Sequence, residues 1–480
     1  MASKKHFYIT TTLPYINSEP HLGFAAEIVR ADVLARLARQ RREEVFFNTG
    51  TDEHGLKIYL RAQEVGLDLK SFCDQYSAKY RPLKEKLKLS YNKFIRTTDP
   101  AHAAAAQEFW RRCQKNGDIY KKNYQIKYCV GCEMEKKESE LVNGRCPLHP
   151  SLALEIINEE NYFFRFSRYQ EKLLRLYEKR PDFVVPESRL KEIKVFVAAG
   201  LADFSISRLK NKMPHGVSVP DDDEQVMYVW FDALVNYIST LGWPETGGDF
   251  KSYWPGLQVC GKDNLRPQAA MWPAMLMSAG LKPERQVLVF GFLTTNGQKI
   301  SKSLGNIINP LVLADKYGAD ALRYYLLAEI PPFEDGDYSQ EKFLARYNAD
   351  LANGLGNLAA RLANLLEKNN LPGGLKVNLK DKNILAIVKD FDAKMAAYRF
   401  NEALQVLWEK IRASDEELSR KTPWKMTAAK ELKAVLLPLA QTLLNLAYLL
   451  EPFLPEAAAK LQEQFSAPRF KKGEPLFPRL

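Results

Sequence analysis

Phe7-Tyr-Ile-Thr-Thr11, the helical run from His21 to about Arg41, and Val45-Phe-Phe47 ending at Asn48-Thr-Gly-Thr-Asp52 decide the fold. The first segment alternates and is rich in aromatic and β-branched residues, as a strand requires, and it leads through Leu13-Pro14-Tyr15 into a polar turn. From His21 onward Ala25, Ile28, Val29, Val33, Leu34 and Leu37 recur at steps of three and four, the spacing of one helix face. Val45-Phe-Phe47 reads as a second strand. Strand, loop, helix, strand opens a doubly wound, parallel-sheet (Rossmann-like) α/β domain, whose ligands sit at the carboxyl ends of the strands. The Thr10–His21 and Asn48–Gly55 loops are therefore expected side by side as walls of a site.

Farther along the chain the α/β rhythm is interrupted and then resumes. Between about Asp118 and Met213 stand Lys121-Lys122, a cysteine cluster, the charged stretch Glu133–Glu140 and Tyr162-Phe-Phe164, a lysine-rich insertion rather than another repeat. Met227-Tyr-Val-Trp230, Leu257-Gln-Val259 and Gln286-Val-Leu-Val-Phe290 restore the strands, and from about Gln340 the chain reads as helix. The expected division is an α/β domain over 1–117 and 214–295, an insertion over 118–213, a Lys-Ser loop region over 296–345 and a helical bundle over 346–480.

Composition agrees with such an assembly. A chain of 480 residues is more than one core usually serves, and 46% hydrophobic with 26% charged residues excludes a disordered or collagen-like chain. Sixty-nine basic against 58 acidic residues leave a formal charge of +11, which favours a polyanionic partner, although an even coat of lysine would look the same. Six cysteines, Cys73, Cys113, Cys129, Cys132, Cys146 and Cys260, are too few for a secreted disulfide framework. No signal-peptide core follows Met1, and no stretch reads as the roughly 20 apolar residues that span a bilayer, so a cytoplasmic protein away from membranes is expected. The ending, Glu474-Pro-Leu-Phe-Pro-Arg-Leu480, suggests no appended module and is compatible with a monomer.

Three motifs carry chemistry. Asn17-Ser-Glu-Pro20-His21-Leu-Gly23-Phe24 lies at the strand-to-helix turn, where amides and an imidazole can face an anion; a surface histidine at a capped turn would look alike. Gly297-Gln-Lys299-Ile300-Ser301-Lys302-Ser303-Leu-Gly305-Asn306 is a cationic loop able to close over a polyphosphate and to strengthen its contacts as charge builds in a transition state. Cys129-x2-Cys132 and, thirteen residues on, Cys146-x2-His149 supply three thiolates and an imidazole, the ligand set of one closed, structural Zn²⁺ site.

The first two motifs together resemble the His-x-Gly-His and Lys-Met-Ser-Lys-Ser signatures of class I aminoacyl-tRNA synthetases. Thr12-Leu-Pro-Tyr-Ile-Asn17, Gly50-Thr-Asp-Glu-His-Gly55, Tyr228-Val-Trp-Phe-Asp-Ala233, Trp272-Pro-Ala-Met-Leu276 and Pro423-Trp-Lys425 look like those of the methionyl members, in order and over essentially the whole chain. The resemblance implies that His21, Lys299 and Lys302 are catalytic, and that Gly23, Phe24, Gly261, Asp263, Ser301 and Ser303 join them in holding ATP with Mg²⁺. It also implies that Leu13, Tyr15, Trp230, Ala233, Leu234 and Tyr237 surround a methionine side chain, with Asp52 and Arg208 on its polar end and Asn264 and Gln268 on one wall. The insertion would then lie on the acceptor-end side, and 296–345 would hold the mobile loop and a stem contact.

Three positions depart from the family pattern. Phe24 replaces the second signature histidine, Asn264 an aliphatic residue and Gln268 a histidine. The first removes a phosphate donor; the other two make one side of the pocket more polar. In the helical part, Asn353, Asn357 and Arg361 stand at i, i+4 and i+8, a polar stripe, and Trp424 follows a proline. Amides and a guanidinium can read base edges and an indole can stack on an unpaired base, so these positions are expected to read the anticodon of tRNA(Met), though an asparagine ladder and a packed tryptophan would fit the same residues. The expected activity is ATP-dependent formation of methionyl-adenylate from L-methionine and transfer to tRNA(Met). A class I synthetase for another apolar amino acid and a non-catalytic tRNA-binding relative are the alternatives.

Overall fold

In the computed structural model, which describes residues 5–132, 134–136, 138–245, 247–295, 297–299 and 307–480, the opening strand is β1 (His6–Thr10) and the second is β2 (Glu44–Thr51). β2 continues four residues past its apolar part, through Asn48–Thr51, and these polar residues are fully buried. They are tolerated because their side chains are paired. Thr11 and Thr49 hydroxyls meet at 2.8 Å, Thr240 Oγ1 donates to Asn48 Oδ1 at 2.9 Å, and Thr51 Oγ1 donates to Glu53 Oε1 at 2.7 Å.

The later strands are β3 (Lys93–Arg96), β4 (Ile119–Cys129), β5 (Met134–Lys136), β6 (Glu155–Phe164), β7 (Val184–Val185), β8 (Phe204–Ser205), β9 (Ser207–Leu209), β10 (Ser218–Val219), β11 (Asp222–Met227), β12 (Leu257–Gly261), β13 (Gln286–Phe290), β14 (Leu293–Thr295), β15 (Gln298–Lys299) and β16 (Gly336–Tyr338). The main sheet has the order β3-β2-β1-β12-β13-β7, with parallel pairing of β3 to β2, β2 to β1, β1 to β12 and β13 to β7. The chain builds outward from β1 through β2 in one direction and from β12 through β13 in the other. The order reverses between β1 and β12, the switch point at which open α/β sheets form their crevice. The class expected from the opening residues is the one observed.

The chain divides into two units. The first comprises Met1–Pro20, Ala38–Arg81 and Tyr91–Val289. It holds the main sheet, the antiparallel sheet β5-β4-β6-β8 of the insertion, and the small sheet β10-β11-β9. Its core is aromatic: Phe109 stacks on Trp272 at 5.4 Å and meets Phe231 and Trp243 edge-on at 5.8 Å, all buried. Rings buried to this degree contribute on the order of 2–3 kcal/mol each. Within 118–213, the helices Gln170–Lys179 and Glu187–Ala198 pack Leu173, Tyr177, Leu190 and Ile193 into this core, and β7 lines the sheet edge.

The second unit comprises His21–Leu37, Pro82–Ser90 and Phe290–Leu480. The helix Leu22–Gln40 belongs to it for most of its length. Inside this unit Asp32 and Arg323, both inaccessible, pair at 2.7 Å, and Arg323 also donates to the carbonyls of Leu87, Pro452 and Phe453 at 3.0, 2.6 and 2.8 Å. Ser90 N and Oγ complete the Asp32 shell at 2.6 Å. Burial alone would raise the Asp32 carboxyl, but Arg323 and Arg36 hold it below its ordinary range.

The bundle runs from the helix Gln340–Arg346 to the helix Pro455–Ser466. One expectation needs correction. The helix Ala429–Leu450 has the length and apolar composition to cross a membrane. In the structure Leu432, Leu436, Leu443, Leu446 and Leu450 are buried in the bundle, which accounts for the apolar composition without a bilayer.

Candidate active site

At the carboxyl ends of β1 and β2 the pairing resumes beyond the strands themselves. Asp52 N donates to Pro14 O at 3.0 Å and Ile16 N to Asp52 O at 3.3 Å, so Tyr15 and Asp52 form a parallel bridge. This fixes the two expected site loops side by side and leaves the Asp52 carboxylate 5% exposed. Tyr15 and Trp230 pack against the buried cluster Tyr228, Val229 and Ala233. Trp230 also packs against the main core, which contains Leu234 and Tyr237. The helices Val229–Ala233 and Asn236–Ser239, with Leu234 and Val235 in right-handed helical conformation between them, position this wall.

Tyr237 is held at both ends. Its carbonyl accepts from Tyr8 Oη at 2.8 Å, its hydroxyl accepts from Gln268 Nε2 at 2.6 Å, and its ring stands edge-on to Trp272. Among the described residues no partner reaches the buried Gln268 Oε1 or Trp230 Nε1. Leu13 follows β1, while Gly261 ends β12, the adjacent strand across the switch point, and Asp263 and Asn264 follow it. Arg208 lies on β9, its guanidinium between the rings of Tyr128 and Tyr228 at 5.2 and 4.6 Å, donating to Ser205 Oγ and Ser207 O at 2.9 and 2.7 Å.

In the second unit His21 precedes the helix Leu22–Gln40, and Leu22 N donates to Ile308 O at 3.0 Å. The imidazole folds over the first turn, where Nδ1 accepts from Phe24 N at 3.4 Å. A Cβ on Gly23 would stand 3.0 Å from two ring atoms, so glycine leaves the ring its place. An accepting Nδ1 puts the proton on Nε2, which can donate to an anion. Phe24 is 7% exposed and packs as an apolar core residue. Lys299 lies on β15, its backbone paired with Thr294; its side chain and Ser301, Lys302 and Ser303 fall outside the described residues.

Cys129 closes β4, and Cys132, Cys146 and His149 follow in the turns of the insertion, where the four ligand atoms lie within 4.8 Å of one another. Cys132 Sγ is 3.5 Å from Cys146 Sγ and 3.2 Å from His149 Nδ1, and Cys129 Sγ is 3.8 Å from the same nitrogen. A tetrahedron with bonds of about 2.3 Å has edges of about 3.8 Å, so this set fits a metal ion. Gly131 permits it, because a Cβ there would sit 2.4 Å from His149 Cγ.

In the bundle the stretch Tyr347–Gly356, which carries Asn353, is wound as a π-helix, and Asn357 begins the helix Asn357–Lys368. Arg361 pairs with Asp415 at 2.5 Å, donates to Ser419 Oγ at 3.1 Å and sits 5.9 Å from the Trp424 ring. Trp424 is 53% exposed, an indole face open to stack on a ring outside the chain.

The family model described as tRNA synthetases class I (M) matches residues 7–363. The chain belongs to that family. Among curated relatives, the methionine–tRNA ligase of Mesorhizobium japonicum is 41% identical to this synthetase, covering 98% of it and 93% of the relative. That of Thermotoga maritima is 40% identical, covering 96% and 75%. A Mycobacterium tuberculosis methionyl-tRNA synthetase in complex with methionyl-adenylate superposes with a TM-score of 0.92 at 37% identity, over 99% of this chain and 100% of that one. The apo form of the Mycobacterium tuberculosis enzyme gives 0.85 at 34% identity, over 100% and 99%.

Sequence reasoning missed a buried network in the synthetase that joins the Asp52 loop to the helix Val229–Ala233. Asp232 Oδ2 lies 2.6 Å from His54 Nδ1 and Oδ1 2.8 Å from His102 Nε2. His215 Nε2 meets Glu53 O at 2.6 Å, and the Glu53 carboxylate accepts from Arg96 Nε at 2.7 Å. His54 and Asp232 stand inside the motifs Gly50–Gly55 and Tyr228–Ala233, but His102 and His215 lie outside both. Only the scarcity of histidine, six in the chain, hinted that three of them share a purpose.

Proposed function

We propose that this synthetase activates L-methionine with ATP to form methionyl-adenylate and pyrophosphate, then transfers the methionyl group to the terminal ribose of tRNA(Met), releasing AMP. The observation that supports the reading is the backbone bridge between the buried Asp52 and Tyr15, a residue that packs, as Trp230 does, against the cluster containing Ala233. A carboxylate suits an ammonium group, and the aromatic and aliphatic wall suits a thioether. Leu13, Leu234, Tyr237, Asn264 and Gln268 complete the methionine site, with Arg208 toward the substrate carboxylate.

The amino-acid carboxylate is itself the nucleophile at the α-phosphorus, so no general base is needed for the first step. The chain supplies alignment and charge compensation. His21 Nε2–H, Lys299 and Lys302 offset the charge that grows on the phosphate, and Gly23, Phe24, Gly261, Asp263, Ser301 and Ser303 hold the nucleotide with its Mg²⁺. Cys129, Cys132, Cys146 and His149 hold one structural Zn²⁺, which supports the insertion. Asn353, Asn357, Arg361 and Trp424 read the anticodon. The domain division over 1–117, 118–213, 214–295, 296–345 and 346–480 assigns these tasks in order, in a cytoplasmic monomer.

The test is ATP–pyrophosphate exchange with each apolar amino acid in turn. Methionine alone is expected to support exchange. Stronger exchange with another apolar amino acid would make the protein a synthetase for that residue, and no exchange with any would leave a tRNA-binding relative.

A further inference from the structure

The helix Val229–Ala233 contributes to two groups of side chains. Ala233 belongs to the buried cluster against which Trp230 and Tyr15 pack, and Asp232, one residue before it, is wholly buried. Asp232 meets His54 and His102 at 2.6 and 2.8 Å, and all three groups are buried. Burial would raise the Asp232 carboxyl, but the two imidazoles hold it well below the usual carboxylate range. An ionised carboxylate only accepts, so His54 Nδ1 and His102 Nε2 both donate to it. His102 Nδ1 in turn meets Ser239 Oγ at 2.9 Å, on the next helical segment of the same wall.

His54 belongs to the loop of Asp52, and its backbone N–H reaches Asp52 Oδ1 at 3.4 Å. The loop is gripped from a second side by His215, which bonds Glu53 O and stands edge-on to His54 at 5.0 Å. A buried carboxylate between two imidazoles is a costly way to fill a core, since packed apolar side chains of similar volume stabilise as well or better. What it adds is direction, because each bond ties one element to another at a set distance.

We propose that Asp232 is a positioning residue for amino-acid activation, tying the Asp52 loop through His54 to the helix that carries Trp230 and Ala233. The carboxylate for the ammonium and the wall for the side chain then stand at one fixed separation. The inference rests on the reading of Asp52 and Trp230 as methionine-binding residues.

The experiment is methionine-dependent ATP–pyrophosphate exchange with the full chain, comparing wild type, Asp232→Asn, Asp52→Ala and the double variant. Asp232→Asn keeps the shape but cannot accept from both imidazoles. Its KM for methionine is expected to rise about tenfold or more, with KM for ATP within about twofold, because a misplaced binding group costs alignment. The double variant is expected to fall short of the product of the single effects, since Asp232 acts through Asp52. Should Asp232→Asn fail to fold, His54→Asn, whose side-chain amide stands where Nδ1 does, replaces it. That variant is expected to keep a KM near wild type while His54→Ala raises it.

A methionine KM raised by Asp52→Ala but unmoved by Asp232→Asn overturns the positioning role alone. Equal rises in both KM values, or fully multiplicative effects in the double variant, do the same. No rise with Asp52→Ala overturns the underlying reading of the pocket, and the inference with it.

Discussion

Glu284 stands two residues before β13 with its side chain wholly buried, and among the described residues no other residue hydrogen-bonds either carboxyl oxygen. Arg180 bonds its carbonyl at 3.1 Å rather than its carboxylate. Burial raises the carboxyl from its ordinary 4.5 to about 8, so the folded chain carries it protonated at neutral pH. A group whose folded pKa is raised stabilises fully below its unfolded pKa, and that contribution is lost as pH rises through the folded value. Between pH 5 and pH 7 the unfolded chain has released this proton and the folded chain has not, so the loss approaches about 1.4 kcal/mol per pH unit, or about 2.5 kcal/mol in all. Glu284→Gln removes this slope while leaving every other titrating group in place. Urea unfolding of both proteins at pH 5 and pH 7, followed by tryptophan fluorescence, measures the difference. Five of the seven tryptophans, Trp110, Trp230, Trp243, Trp254 and Trp272, lie in the same unit as Glu284 and report on it. Wild type is expected to lose about 2.5 kcal/mol more than Glu284→Gln between the two pH values. Equal losses would refute the assignment of a buried neutral carboxyl.

Phe24→His is expected to change the exchange rate less than about tenfold, or 1.4 kcal/mol, because Phe24 is packed in the interior; a hundredfold gain would show a degraded phosphate site instead. Trp424→Ala and Asn357→Ala are expected to leave exchange near wild type and to lower kcat/KM for tRNA charging by about 5- to 150-fold, the equivalent of roughly 1–3 kcal/mol, and equal damage to both reactions would exclude an anticodon role. One zinc per chain is expected by elemental analysis, lost in Cys146→Ala together with a lower melting temperature, and a zinc-free chain that melts at the same temperature would exclude a structural site. Arg323→Ala is expected to destabilise by about 3–5 kcal/mol, because it leaves Asp32 buried without its partner, and a change under about 1 kcal/mol in urea unfolding would show that water replaces the guanidinium.

The elements most legible in the sequence are those whose signal is local. The first helix, read as His21 to about Arg41 from its apolar spacing, is observed as Leu22–Gln40. The cysteine and histidine ligands were legible because each pair is separated by two residues, a spacing that one turn closes by itself. β2 is longer than its sequence suggests, since Asn48–Thr51 look like a loop until the partners that satisfy them are known. The apolar length of the Ala429–Leu450 helix is hidden for the converse reason. Its apolar run is interrupted by Pro438, Gln441, Thr442 and Asn445, and only the bundle around it explains why so much of it is apolar.

From its residues alone this chain declares strands, helices, a cysteine–histidine cluster able to hold a metal ion and the motifs of a synthetase, because periodicity and short spacings are properties of neighbours in the chain. The tertiary structure alone decides that His54, His102 and Asp232, separated by as many as 178 positions, meet in one interior, and that the helix after β1 packs with Arg323. It also decides that Glu284 keeps its proton. The reason is physical: a charge or an amide is expensive or harmless according to what surrounds it once water is gone, and no pattern of neighbours along the chain states what those surroundings are.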